Sequence, residues 1–424
     1  MFTTLRNAWK IPELRKKLLF TLLVLLIFRL GNAVPVPYVN VEALNSYFNY
    51  HLANTILGMY NAMSGSAFSN ATLFALSIQP YINASIIIEL LTIAIPYLER
   101  LSKEEGEEGK KKINKITRYT TIGLGLLMGY AYYVMLHNYS LLNETGVLPA
   151  VVVILSFTAG ASVVMWLGEQ ITEFGIGNGI SMILFAGIIS RIPSLIGTMI
   201  SSLQSGTIQW YTAILLILGA LLLVTFIVFI TNAERRIPVQ YAKRVVGRKI
   251  YGGQNTHLPI KVNMSGVLPI IFAQSIASIP ATICAFISKT SGWWYDHVFS
   301  NNSTLYAIIY FILIILFSYF YSTVQYNPVE ISNNLKKNGG FIPGFRPGRP
   351  TADFIHKTIN KIVLFGALYL GVVALLPIVV GNIIGVSRLA IGGTSVIIVV
   401  GVALETVSAL EAQMLMRHYK GFLE

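Results

Sequence analysis

The sequence has few charged residues and almost no cysteine. Charged residues make up 12% of its 424 positions, and Cys284 is the single cysteine. An intrachain disulfide is therefore excluded, and so low a charged fraction argues against a soluble domain. Acidic residues are scarcer than basic ones, with 18 Asp and Glu against 31 Lys and Arg, which gives a formal net charge of +13.

Catalytic and cofactor-binding motifs are also missing from the sequence. Its six histidines are scattered, without an HExxH pair or another metal-ligand spacing. No GxSxG motif is present, and the glycine-rich stretch NGGFIPGFRPGRPT lacks the GKS or GKT ending of a phosphate-binding loop. We therefore expect no catalytic residues, no metal and no cofactor.

What the sequence does contain is long apolar runs. Hydrophobic residues make up 54% of the chain, and its mean hydropathy is +0.65. A bilayer core about 30 Å thick is crossed by a helix of roughly 20 apolar residues. We predict an all-α polytopic membrane protein, and its ten predicted spans are 18–34, 74–97, 119–137, 149–168, 178–200, 210–231, 263–287, 304–325, 358–380 and 393–414.

The first run has an alternative interpretation. It is short and follows the basic residues RKK, as the apolar part of a cleaved signal peptide would. Arg29 and the segment GNAVPVPYVN make a poor cleavage site, however, so we interpret the run as the first span.

Lysine and arginine predict the orientation in the membrane, because they favour the cytoplasmic side of short loops. With the N-terminus inside, the cytoplasmic segments hold 26 of the 31 basic residues. Both termini are then cytoplasmic. These segments are 1–17, 99–118, 232–262, 326–357 and 415–424.

Two of these segments combine basic residues with strand or turn signals. In 232–262, the runs IPVQYA and HLPIKV flank a basic, glycine-containing turn, which predicts a β-hairpin. In 326–357, Pro343, Pro347 and Pro350 restrict the backbone, so we expect the arginines between them to be held in place. Such surfaces suit an acidic partner, which could be RNA phosphate, anionic lipid or an acidic protein surface.

Segment 99–118 differs from these two. Its sequence, ERLSKEEGEEGKKKINKITR, balances acid and base around two glycines. This pattern predicts a solvated, mobile connector without a further role.

Within the spans, ionisable residues are rare. Glu89, Glu405 and Arg29 are interpreted as snorkelling or locally paired side chains. A secondary transporter of lipids or peptides would carry such residues at the midplane, and an intramembrane enzyme would carry paired catalytic groups. Both are alternatives that the spans do not favour.

Six segments of the chain carry a family resemblance. They are IQPYINASIII, GIGNGIS, ERRIPVQYAKR, SGVLPIIFAQSI, NNLKKNGGFIPGFRPGRPT and GGTSVIIVVGVALETVSALEAQ. Together they resemble the signature segments of the bacterial SecY family, the channel subunit of the Sec protein translocase, in the family's order. The resemblance implies an hourglass pore between two pseudo-symmetric five-helix halves, 1–205 and 206–424, the second of which carries the loops 232–262 and 326–357. It also implies a channel that passes unfolded secretory proteins across the bacterial cytoplasmic (inner) membrane and releases transmembrane segments sideways into lipid.

The resemblance implies three groups of pore residues. The constriction would be lined by Ile82, Ile86, Leu184, Ile188, Ile271 and Ile398. A plug over about 56–74 would include Gly65, Ser66, Ala67 and Phe68. A lateral gate between the second and seventh spans would carry Thr92, Gln274 and Ser278.

The plug segment has the composition of a removable stopper. It is rich in glycine, serine and asparagine, so we expect it to pack loosely and to be only marginally stable. The string SGSAF stands where many family members have a run of glycines. Without the resemblance, an ordinary outer loop with a helical turn fits the same residues.

The resemblance finally implies partners. The two basic loops would dock the ribosome, through its RNA and protein, and the motor ATPase SecA. The docking residues would be Arg235, Arg236, Lys243, Arg244, Lys336, Lys337, Arg346 and Arg349. Small membrane subunits resembling SecE and SecG, precursor proteins with signal sequences, and membrane lipid would be the other partners.

Overall fold

The structure, a computed structural model of the chain, describes most of its residues. The described ranges are 2–52, 56–103, 105–206, 209–241, 244–246, 249–251, 255–264, 266–286, 303–384 and 393–420. The helices in chain order are α1 (Phe2–Lys10), α2 (Pro12–Gly31), α3 (Val41–Tyr47), α4 (Ile56–Met63), α5 (Gln79–Ala94), α6 (Pro96–Lys103), α7 (Gly106–Asn138), α8 (Val147–Phe174), α9 (Gly179–Ile189), α10 (Ile192–Gln204), α11 (Trp210–Asn232), α12 (Leu268–Phe286), α13 (Thr304–Gln325), α14 (Pro328–Lys337), α15 (Arg349–Ile384) and α16 (Gly393–Lys420). The strands are β1 (Glu234–Tyr241), β2 (Arg244–Val246), β3 (Lys249–Tyr251), β4 (Asn255–Lys261) and β5 (Gly340–Phe341).

The membrane-spanning helices correspond to the predicted spans. Among the described residues, seven stretches are long and apolar enough to cross a membrane, and α5 with α6, bent by 106°, makes an eighth if the pair is one span. Helix α2 has the length of a span but begins with a basic cluster, and the apolar part of α12 is short, at Leu268–Ala277. These elements pair one to one with the ten predicted spans, so the structure is consistent with that number.

The prediction of a mobile connector at 99–118 is wrong. Its described residues are largely helical, since they form most of α6 and the first turns of α7. Leu98 and Leu101 explain this, because they bury one face of α6 where it packs against α7. Helix α15, which contains the ninth predicted span, begins at Arg349, before that span, because a proline at position 350 is compatible with the first turn of a helix.

Helix packing follows chain order. Helix α5 packs against α7, α7 against α8 and α8 against α9, while α12 packs against α13, α13 against α15 and α15 against α16. Elements from the two parts of the chain meet where α4 and α5 pack against α12 and where α9 packs against α16. The helices α5, α9, α12 and α16 carry the six residues of the predicted constriction. The division into halves at 205 and 206 stays a prediction.

The two basic loops form one body. Strand β1 pairs antiparallel with β4, from Glu234 opposite Lys261 to Gln240 opposite Asn255, which confirms the predicted hairpin. The other edge of β1 pairs with β5, which belongs to the loop before α15. A separate apolar core lies beneath this sheet, and its buried residues are Ile237, Val239, Ile260, Met264, Ile342, Ile355, Ile359 and Val363.

The motif GIGNGIS forms the sharp turn between α8 and α9. Gly177 has φ +74°, a left-handed conformation that glycine adopts without strain. The side chain of Asn178 accepts hydrogen bonds from the backbone nitrogens of Ile180 and Ser181 at 3.0 and 3.3 Å, which caps α9. Gly179 lies against the carbonyl oxygen of Gly168, so the two helices touch by their backbones.

Replacing Gly179 with alanine should destabilise this turn, because the added methyl group would overlap the carbonyl of Gly168. We expect Gly179→Ala to cost about 1–3 kcal/mol and to lower the midpoint of thermal unfolding in detergent. Gly123→Ala is the matched control, since no heavy atom lies within 4 Å of the position of its new methyl group. Equal midpoints for the two variants would contradict the prediction.

Candidate functional site

The structure brings the six predicted constriction residues into one buried cluster. Ile82 and Ile86 lie on α5, Leu184 and Ile188 on α9, Ile271 on α12 and Ile398 on α16. All six are at most 8% exposed. The six side chains therefore belong to the main apolar core, to which four helices bring them.

A cavity of about 230 Å³ borders three of these residues. Leu184, Ile271 and Ile398 form part of its apolar wall. The rest of its lining includes the polar residues Asn178, Ser181, Tyr321, Gln325 and Glu405. Half of the predicted constriction residues thus line a cavity whose wall is partly polar.

The predicted plug lies against the helices of the constriction. Helix α4 packs against α9 and α12, and the turns after it are enclosed by the surrounding helices. Ser64, Ala67 and Phe68 are at most 3% exposed, and the ring centroid of Phe68 lies 4.5 Å from that of Tyr132. The expectation of loose packing is therefore wrong, because the small residues allow close approach to the neighbouring helices.

Two positions in this contact are glycine because the backbones approach each other too closely for a side chain. A methyl group on Gly187 of α9 would overlap the carbonyl oxygen of Met63, and one on Gly65 would lie 2.6 Å from the hydroxyl of Ser190. Gly65 and Ser66 have φ values of +69° and +70°. The plug segment therefore turns sharply at this point while it lies directly on α9.

Three side chains, from α7, from α2 and from the residue after α2, donate hydrogen bonds to carbonyl oxygens of the predicted plug. The hydroxyl of Tyr132 on α7 donates to Phe68 at 2.6 Å. The amide of Asn32, directly after α2, donates to Ser64 at 3.1 Å. Arg29 on α2 donates to Gly65 at 3.3 Å and to the Ser190 hydroxyl at 3.1 Å.

Sequence reasoning missed these three donors as plug contacts. It interpreted Arg29 as a snorkelling or locally paired residue and did not consider the other two. The available signal was a polar side chain in or beside an apolar run, since such residues usually find a partner inside the protein. The partner itself lies far away in the sequence and could not be predicted from the pattern.

A methionine at the end of α4 joins the plug to both sides of the predicted gate. The sulfur of Met63 accepts from the amide nitrogen of Gln79 on α5 at 3.3 Å and from that of Gln274 on α12 at 3.6 Å. All three side chains are at most 5% exposed. Gln274 is a predicted gate residue, whereas Gln79 was not predicted.

Of the other two predicted gate residues, the structure describes the side chain of Thr92 alone. The hydroxyl of Thr92 donates to the carbonyl of Ile88 in its own helix at 2.7 Å, and Thr92 is half-buried. Ser278 lies on α12, but its side chain is outside the described residues.

The predicted docking residues lie on the body formed by the two loops. Arg235 and Arg236 lie on β1 and are exposed, and the Nε atom of Arg236 pairs with Glu234 at 2.7 Å. Arg244 lies on β2, with its side chain outside the described residues, and Lys243 lies outside them entirely. The predicted docking residues of the second loop, Lys336, Lys337, Arg346 and Arg349, are all exposed.

Hydrogen bonds hold the loop that carries Arg346. The hydroxyl of Thr351 donates to the Arg346 carbonyl at 2.8 Å, and the hydroxyl of Ser332 donates to the Gly348 carbonyl at 2.7 Å. The rings of Phe345 and Phe354 lie 4.2 Å apart. Because its backbone is fixed on both sides, the exposed guanidinium of Arg346 stands on an ordered loop, as the prolines predicted.

Comparisons with known proteins agree on one family. Residues 72–407 match the family model described as SecY. The chain is 43% identical over 440 residues to the protein translocase subunit SecY of Streptomyces coelicolor, with 100% of both chains covered. It is 44% identical over 436 residues to the protein translocase subunit SecY of Thermotoga maritima, with 100% of this chain and 98% of the relative covered.

Solved structures with the same fold include two channels. A protein-conducting channel matches with a TM-score of 0.69 at 19% identity and covers 94% of this chain and 92% of its own. Sec61 in the canine ribosome-channel complex matches with a TM-score of 0.64 at 18% identity over the same shares of the two chains. These matches confirm the fold predicted from the sequence.

Removing the hydroxyl of Tyr132 should loosen the plug, because the buried carbonyl of Phe68 loses its donor. We expect Tyr132→Phe to cost about 1–2 kcal/mol, which raises the displaced fraction about 5- to 30-fold. The measurement is the rate at which a maleimide labels Ala67→Cys in a Cys284→Ser background. Residue 67 is a good reporter because Ala67 is 1% exposed at rest.

The control for this experiment is Tyr130→Phe on the same helix. Tyr130 is 59% exposed, so its hydroxyl is not needed to satisfy a buried group. Labelling that is equally fast in both variants would show that the hydroxyl of Tyr132 does not hold the plug.

Proposed function

The chain belongs to the SecY family, and on that premise we propose that it is the central subunit of a protein translocation channel. It passes unfolded secretory proteins across the bacterial cytoplasmic membrane and releases transmembrane segments sideways into lipid. The observation that carries this proposal is that the six aliphatic side chains of the predicted constriction are buried on four helices, two of which pack against the plug helix α4.

The six aliphatic side chains form the constriction of the pore. A narrow apolar passage expels water and so resists ion flow. Aliphatic side chains can also close around a sliding chain of any sequence, because they offer no strong hydrogen bond or charge that would retain it. The plug, centred on Gly65, Ser66, Ala67 and Phe68, seals the constriction at rest and leaves it during transport.

The lateral gate is the seam between α5 and α12. These helices pack against each other, and Gln274 lies in the seam region with Thr92 and Ser278 on the two gate helices. Polar groups in an apolar seam weaken it relative to continuous aliphatic packing. An apolar signal sequence can then part the helices and reach lipid. The rival transporter of lipid or peptide is less well supported, since Arg29 is engaged with the plug.

The body formed by the two basic loops is the docking platform. Its exposed arginines and lysines suit ribosomal RNA and protein and the motor ATPase SecA. Relatives of this fold support the first of these partners, since one solved neighbour is described as Sec61 in a ribosome-channel complex and another as an Ssh1 complex bound to a ribosome. SecE-like and SecG-like small membrane subunits complete the channel, and both termini lie in the cytoplasm.

The channel itself performs no chemistry under this proposal. Energy comes from ATP hydrolysis by SecA, from elongation by the ribosome, or from the proton-motive force. The described residues contain no group of three or more His, Cys, Asp or Glu that could hold a metal ion.

Reconstitution tests the function. The purified protein and its small membrane subunits are placed in proteoliposomes with SecA, ATP and a precursor that carries a signal sequence. We expect the precursor to become protease-protected only when both ATP and the signal sequence are present. Absence of protection, in vesicles where an established translocase is active, would refute the proposal and favour the transporter.

Reversing the charge of Arg346 tests the docking platform. Because this arginine is exposed on an ordered loop, Arg346→Glu should leave insertion and abundance unchanged while it repels an acidic partner. We expect SecA-driven protection of the precursor to fall about tenfold, which corresponds to about 1.4 kcal/mol. Lys115→Glu is the matched control, since Lys115 is an exposed lysine of α7, which is not one of the elements of the platform. Equal transport by both variants at equal abundance would contradict a specific role for Arg346.

A further inference from the structure

Two buried glutamines beside the constriction have unused hydrogen-bonding capacity. Gln79 is 5% exposed and Gln274 is 3% exposed, and each donates its amide nitrogen to the sulfur of Met63. Within the described part of the chain, the side-chain oxygen of each glutamine is buried without a hydrogen-bond partner. Buried amide oxygens are nearly always paired in proteins, so two unpaired ones at one place point to a ligand.

The chemistry of the two partners is mismatched. A glutamine side chain carries both a donor and an acceptor, whereas a thioether sulfur can only accept, and does so weakly. Met63 therefore pairs with a donor of each amide and leaves its acceptor oxygen unpaired. A group that both donates and accepts could pair with both the nitrogen and the oxygen.

The glutamines also have a defined position along the pore axis, relative to the constriction residues. Gln79 precedes the constriction residue Ile82 by three positions on α5, and Gln274 follows Ile271 by three positions on α12. Residues three apart share a helix face, and a rise of 1.5 Å per residue separates them by roughly 4.5 Å along the axis. The two amides thus form a layer next to the apolar constriction, on the side of the plug.

We propose that Gln79 and Gln274 bind the main chain of the translocating polypeptide, and that Met63 occupies this site at rest. The proposal rests on the proposed function and deepens it. A peptide group has one donor and one acceptor, which matches a primary amide, and an extended chain presents them every few ångströms whatever its side chains are. When the plug leaves, the chain replaces a weak acceptor with complete pairing. The site is therefore independent of the sequence that passes through it.

An arrested precursor measures this binding directly. A precursor with a tightly folded tail is halted in the channel in proteoliposomes, ATP is then removed, and the half-life of the protease-protected intermediate is followed. The double variant Gln79→Leu/Gln274→Leu keeps the side-chain volume but loses the amides. We expect it to shorten the half-life about three- to tenfold, as expected for the loss of one or two hydrogen bonds.

The matched control is Met63→Leu, which removes the sulfur and keeps both glutamines. We expect it to leave the half-life of the arrested intermediate unchanged. A half-life that falls equally in Met63→Leu would mean that the amides only hold the plug, and an unchanged half-life in the double variant would also overturn the proposal.

A change in the precursor provides a test that does not depend on folding of the double variant. A proline tract has no N–H groups, whereas an alanine tract has all of them. In the unchanged channel, the proline tract arrested at the constriction should shorten the half-life relative to the alanine tract, and equal half-lives would overturn the proposal. If the unchanged channel never protects a precursor, the result rejects the proposed translocation function. It then says nothing about binding by the two glutamines.

Discussion

Irregular backbone that is enclosed by membrane helices must find its hydrogen-bond partners inside the protein, because hydrocarbon offers none. The turns after α4 are such a stretch, and they determine which polar residues the surrounding helices carry. Tyr132, Asn32 and Arg29 reach plug carbonyls from α7 and from α2 and its end. Within the segment, the side-chain oxygen of Asn61 accepts from the backbone nitrogen of Ser69 at 2.9 Å. The resting position of the plug segment therefore depends on the packing of the helices around it.

Helices that are uniformly apolar could be predicted from the sequence almost to the residue. The span predicted at 210–231 is the helix Trp210–Asn232, because a single continuous apolar run has clear ends. The β-hairpin could be predicted as well, since alternating runs flank a glycine-containing turn. The error at 99–118 arose because one signal has two meanings: a charged run can be solvated on one face and packed on the other.

The candidate site, too, could be predicted only in part. Family motifs point to the constriction residues, and the structure gathers them in one cluster because they lie on helices that meet across the two parts of the chain. The contacts of the plug could not be predicted, since Tyr132 and its partner Phe68 are 64 positions apart and no local pattern links them. Pairing between the two basic loops was missed for the same reason, because β5 is only two residues long and has no strand pattern of its own.

Helix α15 connects the docking body to the membrane interior without a break. It begins in the loop that carries Arg346 and continues for 36 residues, a length of roughly 54 Å at 1.5 Å per residue. Inside the membrane it packs against α13 and α16, and α16 bears Ile398 of the constriction. From Arg349 to Leu376 this helix has no proline beyond Pro350 in its first turn, so a tilt applied to the loop can be passed along that part of the helix. Under the proposed function, we infer that a partner bound to the docking body acts in this way on the helices that carry the constriction residues.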